Sequence, residues 1–176
     1  MHALVLMSNH YHLLIQTPHA NLVAGMRWFA APASAPALSR KASAQTTWTV
    51  RFYRRHRLSG DLFQGRYKAV VVDPEERGYF ATLSDYIHLN PICARMVSLD
   101  ERLYDYRWSS YRWYAGKSGR PAWFEREWVL AELQLEDNAQ GRRLHAERMR
   151  DRAVSELNGP DLPSPAWDSD ANLVPH

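Results

Sequence analysis

The sequence predicts a mixed fold of strands and helices, and three observations carry that expectation. Apolar residues on both sides of Ser8-Asn9 give a β-hairpin over residues 2–16. A β-branched run, Val70-Val71-Val72, closes a second strand over residues 62–72, bounded by Gly65 and Asp73-Pro74. Several stretches between and after these carry apolar residues at helical spacing. At 176 residues the chain has room for one ordinary domain with appendages, and hardly for two.

In the hairpin, side chains alternate between faces, so His10 and His12 share one face about 6.6 Å apart along the chain, and Tyr11 takes the other. Two neutral imidazoles side by side are a start on a divalent metal site. In general such a pair is more often a polar feature of a half-exposed strand. Over residues 18–29, Leu22, Val23, Met26 and Phe29 mark a short amphipathic helix, capped by Asn21 or Thr17. Residues 30–45 are small and punctuated by Pro32 and Pro36, which predicts a flexible insertion. Residues 48–57 return to helical character and end in Arg54-Arg55-His56-Arg57, with Ser59-Gly60 as the stop.

On the strand that follows, Arg66 and Lys68 share a face. Pro74 and Glu75-Glu76 then open a helix with acids in its first turn; Tyr79, Phe80, Leu83, Tyr86 and Ile87 continue it to Asn90, before Pro91. Residues 104–114 are dense in aromatics, and Trp108, Tyr111 and Trp113 are expected mainly in the core. Two more helices follow over residues 123–135 and 142–157, the second so charged that loose packing is expected. The domain expectation is a main domain over residues 1–135, a charged helix over 136–157 and a disordered tail over 158–176.

Net charge is only +3, but its distribution is uneven. Residues 51–72 carry Arg51, Arg54, Arg55, Arg57, Arg66 and Lys68 against Asp61 alone, an asymmetry suited to a polyanion. The Arg54 to Arg57 run is, taken alone, equally a solvated helix end. The single cysteine, Cys93, excludes an internal disulfide and makes a reduced cytoplasmic compartment the default. No apolar run reaches the length of a membrane span, and the N-terminus lacks the features of a signal peptide.

Tyr86 and Asn90 lie four residues apart, so they share one helix face with Cβ atoms about 6 Å apart. A phenol is a possible nucleophile, and an amide oxygen a possible metal ligand. Laid over the hairpin, this helix would supply what the two histidines lack.

Four motifs in order make the chain recognisable: Met7-Ser8-Asn9-His10-Tyr11-His12-Leu13-Leu14, Leu62-Phe63-Gln64-Gly65-Arg66-Tyr67-Lys68-Ala69, Tyr86-Ile87-His88-Leu89-Asn90-Pro91 and Tyr106-Arg107-Trp108-Ser109-Ser110-Tyr111. Together they resemble the REP-associated tyrosine transposases, of the single-tyrosine branch of the HUH superfamily of DNA-nicking enzymes. The resemblance covers roughly residues 2–29 and 46–133.

It implies an α+β fold with a ferredoxin-like antiparallel sheet, helices on one face and extra C-terminal helices. His10 and His12 would be the metal-binding pair, Asn90 the third ligand and Tyr86 the nucleophile. A divalent ion, Mg2+ or Mn2+, would polarise a scissile phosphate while Tyr86 attacks phosphorus, leaving a 5′-phosphotyrosine and a free 3′-hydroxyl. The covalent link keeps the phosphodiester's energy, so a second end can be joined without ATP. A tyrosine near its usual pKa of about 10 needs its proton removed, and the sequence names no base for this. His88, two residues on along the helix, faces away from it.

The partners implied are single-stranded or hairpin DNA and a possible second copy of the chain, with no membrane, in the bacterial cytoplasm at the nucleoid. Arg51, Arg54, Arg55, Arg57, Arg66, Lys68 and Arg112 would track the DNA backbone, and Trp108 would stack on unpaired bases.

Members of that group usually begin with a strand and a helix ahead of the histidine hairpin, so the first strand and helix are expected to be missing here. Their loss would expose a sheet edge. Ser8 also replaces a proline usual at that turn. Three functional classes follow: a metal-dependent single-tyrosine transposase, a catalytically inactive DNA-binding remnant, and a nuclease using activated water, which would survive Tyr86→Phe.

Overall fold

The structure, a computed structural model, describes residues 1–8, 10–29, 55–57, 67–73, 76–98, 103–116 and 119–158. The chain falls into two compact units, Met1–Gln16 with Val70–Asn172, and Thr17–Ala69 with Leu173–His176.

In the first unit the alternating apolar residues form the expected hairpin. Strand β1 (Ala3–Leu6) pairs antiparallel with β2 (Tyr11–Leu14), with Val5 opposite His12 and Leu6 opposite Tyr11. Directly opposed residues share a sheet face. Val5 is fully buried in a cluster with Ala3, Leu14, Leu83 and Ile87, so His12 faces the helix that carries the last two. The other edge of β1 is covered: Val5 bridges Ser109, and Leu6 N–H donates to the Trp108 carbonyl at 2.9 Å. The segment read as a strand over residues 62–72 forms none in its described part, residues 67–72. A β-branched run suits a pleated surface but makes a strand only where a neighbour offers a ladder. Val72 packs instead on the apolar cluster of the hairpin.

A long helix, Tyr79–Cys93, crosses the hairpin and touches both strands; in chain order it is α2, after α1 (Leu22–Phe29) in the second unit. It starts later than the acids at residues 75 and 76 suggested, behind Gly78, whose φ of 80° suits a residue without Cβ. Its cap comes from a distant carboxylate: Gly78 and Ala81 donate their N–H groups to Glu132 at 2.6 and 2.5 Å. Such a cap satisfies the free amides of the first turn as a local Asp or Glu would. The helix also runs through Pro91 to Cys93, past the expected stop. It ends in a Schellman motif: Met96 N–H donates to the Pro91 carbonyl, Arg95 N–H to that of Ile92, and Arg95 has a φ of 55°.

Short helices α3 (Tyr111–Tyr114) and α4 (Glu127–Glu132) and the long α5 (Ala139–Asn158) complete the unit. Tyr111, Tyr114, Phe124, Val129, Leu130, Met149 and Ala153 join α2 in the main core. Of the aromatics expected inside, Tyr111 is buried and Trp113 packs against the core, but Trp108 is 49% exposed. The expectation of loose packing for the charged C-terminal helix is corrected. Asp85 of α2 is fully buried, and its Oδ2 accepts from Arg148 Nε and Nη2 at 3.1 and 2.9 Å and from Arg152 Nη1 at 2.9 Å. Both arginine heads reach inward to one carboxylate through charge-assisted hydrogen bonds.

In the second unit, α1 follows Asn21, whose carbonyl accepts from Gly25 N–H at 2.9 Å, as a helix N-cap does. Arg55 and His56 are helical, and Arg57, with a φ of 51°, ends that turn. The insertion at residues 30–45 and the tail from residue 159 lie outside the described residues.

Replacing Asp85 with Ala should cost about 1–3 kcal/mol in urea denaturation, since the hydrogen bonds of the buried carboxylate to Arg148 and Arg152 are lost. A pH effect should add to this. Burial holds His88 at a pKa of about 3 and His145 at about 4, below the ordinary 6.5, so both stay neutral in the fold. The unfolded chain binds more protons below pH 6.5, so stability is full above that value and falls as pH drops toward 4 and then 3. Melting temperatures measured from pH 7.5 to 4.5 should decline below pH 6.5, and less steeply in His145→Gln.

Candidate functional site

Between Ala81 and Ile92 every residue of α2 is buried except Thr82, Tyr86 and Asn90. These three are spaced by four, so they form a single open stripe on an otherwise enclosed helix. Tyr86 and Asn90 are the pair expected from the sequence; Thr82 is an addition, at the same spacing of four.

The stripe meets the histidine face of the hairpin. The ring centroids of His10 and His12 are 4.9 Å apart and nearly perpendicular, and the His12 ring lies 5.8 Å from that of Tyr86, edge to face. His10 is exposed; His12 and Tyr86 are half-buried. Three of the four residues expected at the centre therefore come together. Asn90, one turn further along α2, donates its Nδ2 to the Tyr86 carbonyl at 2.9 Å, so Oδ1 is the atom of that side chain able to bind a cation.

Among the described residues no group of three or more His, Cys, Asp or Glu side chains is placed to hold a metal ion. A site here has to draw its third donor from another residue type, and the Asn90 amide oxygen is of that kind. Two imidazole nitrogens and an amide oxygen fit a divalent first-row ion such as manganese better than they fit magnesium.

Beside the hairpin edge, the Arg107 guanidinium sits 4.5 Å from the centroid of the exposed Trp108 ring. Such a stacked pair joins a positive charge to a flat apolar face. Tyr106 anchors this turn by donating its hydroxyl to the Leu6 carbonyl at 2.7 Å. Arg112 is half-buried, with its Nε enclosed. The other basic residues expected at a DNA surface lie in the second unit. There Arg55, Arg57 and Lys68 are exposed, while Arg51, Arg54 and Arg66 lie outside the described residues.

His88 is not at this site. It is fully buried, 2.8 Å from Ser110 and with its ring against those of Tyr111 and Tyr114. Burial pushes both of these phenols well above their ordinary pKa, so neither is an available nucleophile. Among the described residues no helix is long and apolar enough to cross a membrane. No family model, curated protein or solved structure matches the chain.

If the His10 and His12 rings hold an ion, titration with Mn2+ or Co2+ should show one site per chain. His12→Ala should weaken it about tenfold or more, with little change in far-UV circular dichroism.

Proposed function

We propose that this chain derives from, and acts as, a metal-dependent DNA transposase of the single-tyrosine type, cutting and rejoining single-stranded DNA through a 5′-phosphotyrosine. The observation that carries the reading is the approach of the Tyr86 ring to the His12 ring, 5.8 Å between centroids, on the only open stripe of α2. A phenol beside two imidazoles and an amide oxygen is a donor set for nucleophilic attack on a phosphate. A divalent ion held by His10, His12 and Asn90, manganese or magnesium, would polarise the scissile phosphate and offset its charge.

The steps assigned to the protein are few. Tyr86 is presented from a rigid helix, so its oxygen can be aimed in line with the leaving group. The new Tyr86 O–P bond forms as the P–O3′ bond breaks; the phenol gives up its proton to solvent, and the 3′-oxygen takes one from solvent and leaves as a hydroxyl. The phosphotyrosine is of the same bond class as the diester it replaces, so a second 3′-hydroxyl reverses the step. Arg107 over Trp108 suits a phosphate next to an unpaired base, and the basic residues Arg55, Arg57 and Lys68 suit a backbone track. The same reading carries a ferredoxin-like sheet for the hairpin, hairpin DNA as substrate, a possible second copy of the chain as partner, and the bacterial cytoplasm as the location.

A second reading keeps the DNA surface without the chemistry, as a binding remnant. The coverage of the outer edge of β1 by Trp108 and Ser109 weighs against it, since it removes one exposed edge of the hairpin.

Incubation with labelled single-stranded hairpin DNA and Mn2+ should give a denaturation-resistant protein–DNA adduct. Tyr86→Phe should abolish that adduct and leave DNA affinity within about threefold. Binding without an adduct in the wild type would establish the remnant, and cleavage surviving in Tyr86→Phe would establish a water-using nuclease.

A further inference from the structure

Apolar burial alone does not fix how a helix sits on a hairpin, because the hydrophobic effect is non-directional. The contacts of Leu83 and Ile87 with Ala3, Val5 and Leu14 hold α2 down, but they leave its slide and roll to be set by something else. A directional connection exists at the residue that follows Ile87. His88 Nε2 lies 2.8 Å from Ser110 Oγ, and both side chains are wholly buried. The same Oγ accepts from Leu4 N–H at 2.8 Å and lies 3.2 Å from the Leu4 carbonyl, which also accepts from Ser110 N–H at 3.0 Å. With its proton on Nε2, His88 donates to Ser110 Oγ and the hydroxyl donates to the Leu4 carbonyl, so every one of these groups is satisfied at once.

The two ends of this chain of bonds fall close to the site. His88 follows Tyr86 by two residues, about 3 Å along the helix axis. Leu4 precedes Val5, the strand partner of His12. The link therefore ties the nucleophile's helix to the hairpin two residues from Tyr86 at one end and one residue from the strand partner of His12 at the other. Ser109, bridged to Val5, holds Ser110 in place.

We propose that His88 and Ser110 are positioning residues, whose hydrogen bond sets the placement of the Tyr86 ring against the His12 ring. This rests on the reading of Tyr86 as the nucleophile, and it extends that reading to two residues that touch neither DNA nor metal.

The test compares wild type with Ser110→Ala, which removes the hydroxyl, His88→Asn, whose amide falls short of Ser110, and His88→Gln, whose amide nitrogen reaches the Nε2 position. Two readouts are taken: the nuclear Overhauser effect between the His12 and Tyr86 rings, and the rate of adduct formation at saturating DNA. Ser110→Ala and His88→Asn should weaken the ring-to-ring signal and slow the adduct by about tenfold to a hundredfold. DNA affinity should stay within about threefold, and His88→Gln should restore most of the rate.

Lower melting temperatures with an unchanged ring-to-ring signal and an unchanged rate would overturn the proposal, since a merely structural role moves stability alone. If one deletion variant fails to fold, the other decides; if both fail, Ser110→Cys, with a weaker and longer link, should give an intermediate signal, and a wild-type signal there would overturn the proposal. A wild type that makes no adduct refutes the nucleophile reading, while the ring-to-ring comparison still decides the positioning.

Discussion

A helix buried on nearly every side can offer chemistry only along the stripe that stays open, and its buried polar groups must find partners elsewhere in the fold. Tyr79–Cys93 meets both conditions. Its sequence places Ser84, Asp85 and His88 among apolar neighbours, and a buried charge or imidazole without a partner would cost several kcal/mol. Asp85 draws Arg148 and Arg152 from α5, and His88 draws Ser110 from the turn beside β1. The free amides at the helix start draw Glu132 from α4. Three separate parts of the chain are thus placed by the polar needs of one helix.

The open stripe is what remains. Thr82, Tyr86 and Asn90 face out along it, and the hairpin brings His12 to Tyr86 because Val5, opposite His12, is buried against the same helix. The packing that stabilises the core and the approach that supports the chemistry are therefore one arrangement. A change at Asp85 or Ser110 acts on the fold first and on the site through it.

The hairpin was legible from alternation alone, since a period of two needs only a few residues to declare itself. The shared face of Tyr86 and Asn90 was legible for the same reason, at a period of four. What escaped the sequence depended on distant partners. Glu132 caps a helix more than fifty residues away, and no local signal points from one to the other. The acids at residues 75 and 76 gave a false start, because Gly78 breaks the chain direction after them. Pro91 gave a false stop, because the last turn closes around it in a Schellman motif. The charges of α5 suggested a solvated helix, whereas two of its arginines converge on a buried carboxylate contributed by the helix that bears Tyr86. Val70-Val71-Val72 reads as a strand only if a ladder awaits it, and none forms there.

The central claim is that the tyrosine on the open stripe, and no other, is placed for attack. Its most direct test is a tryptic peptide map of the protein after incubation with single-stranded DNA and Mn2+, followed by nuclease digestion. The account predicts a residual nucleotide mass on the peptide that runs from Gly78 to Arg95, fragmenting at Tyr86 and not at Tyr79. A nucleotide found on Tyr11 or Tyr106 instead, or none on a folded chain that binds both DNA and metal, would contradict it.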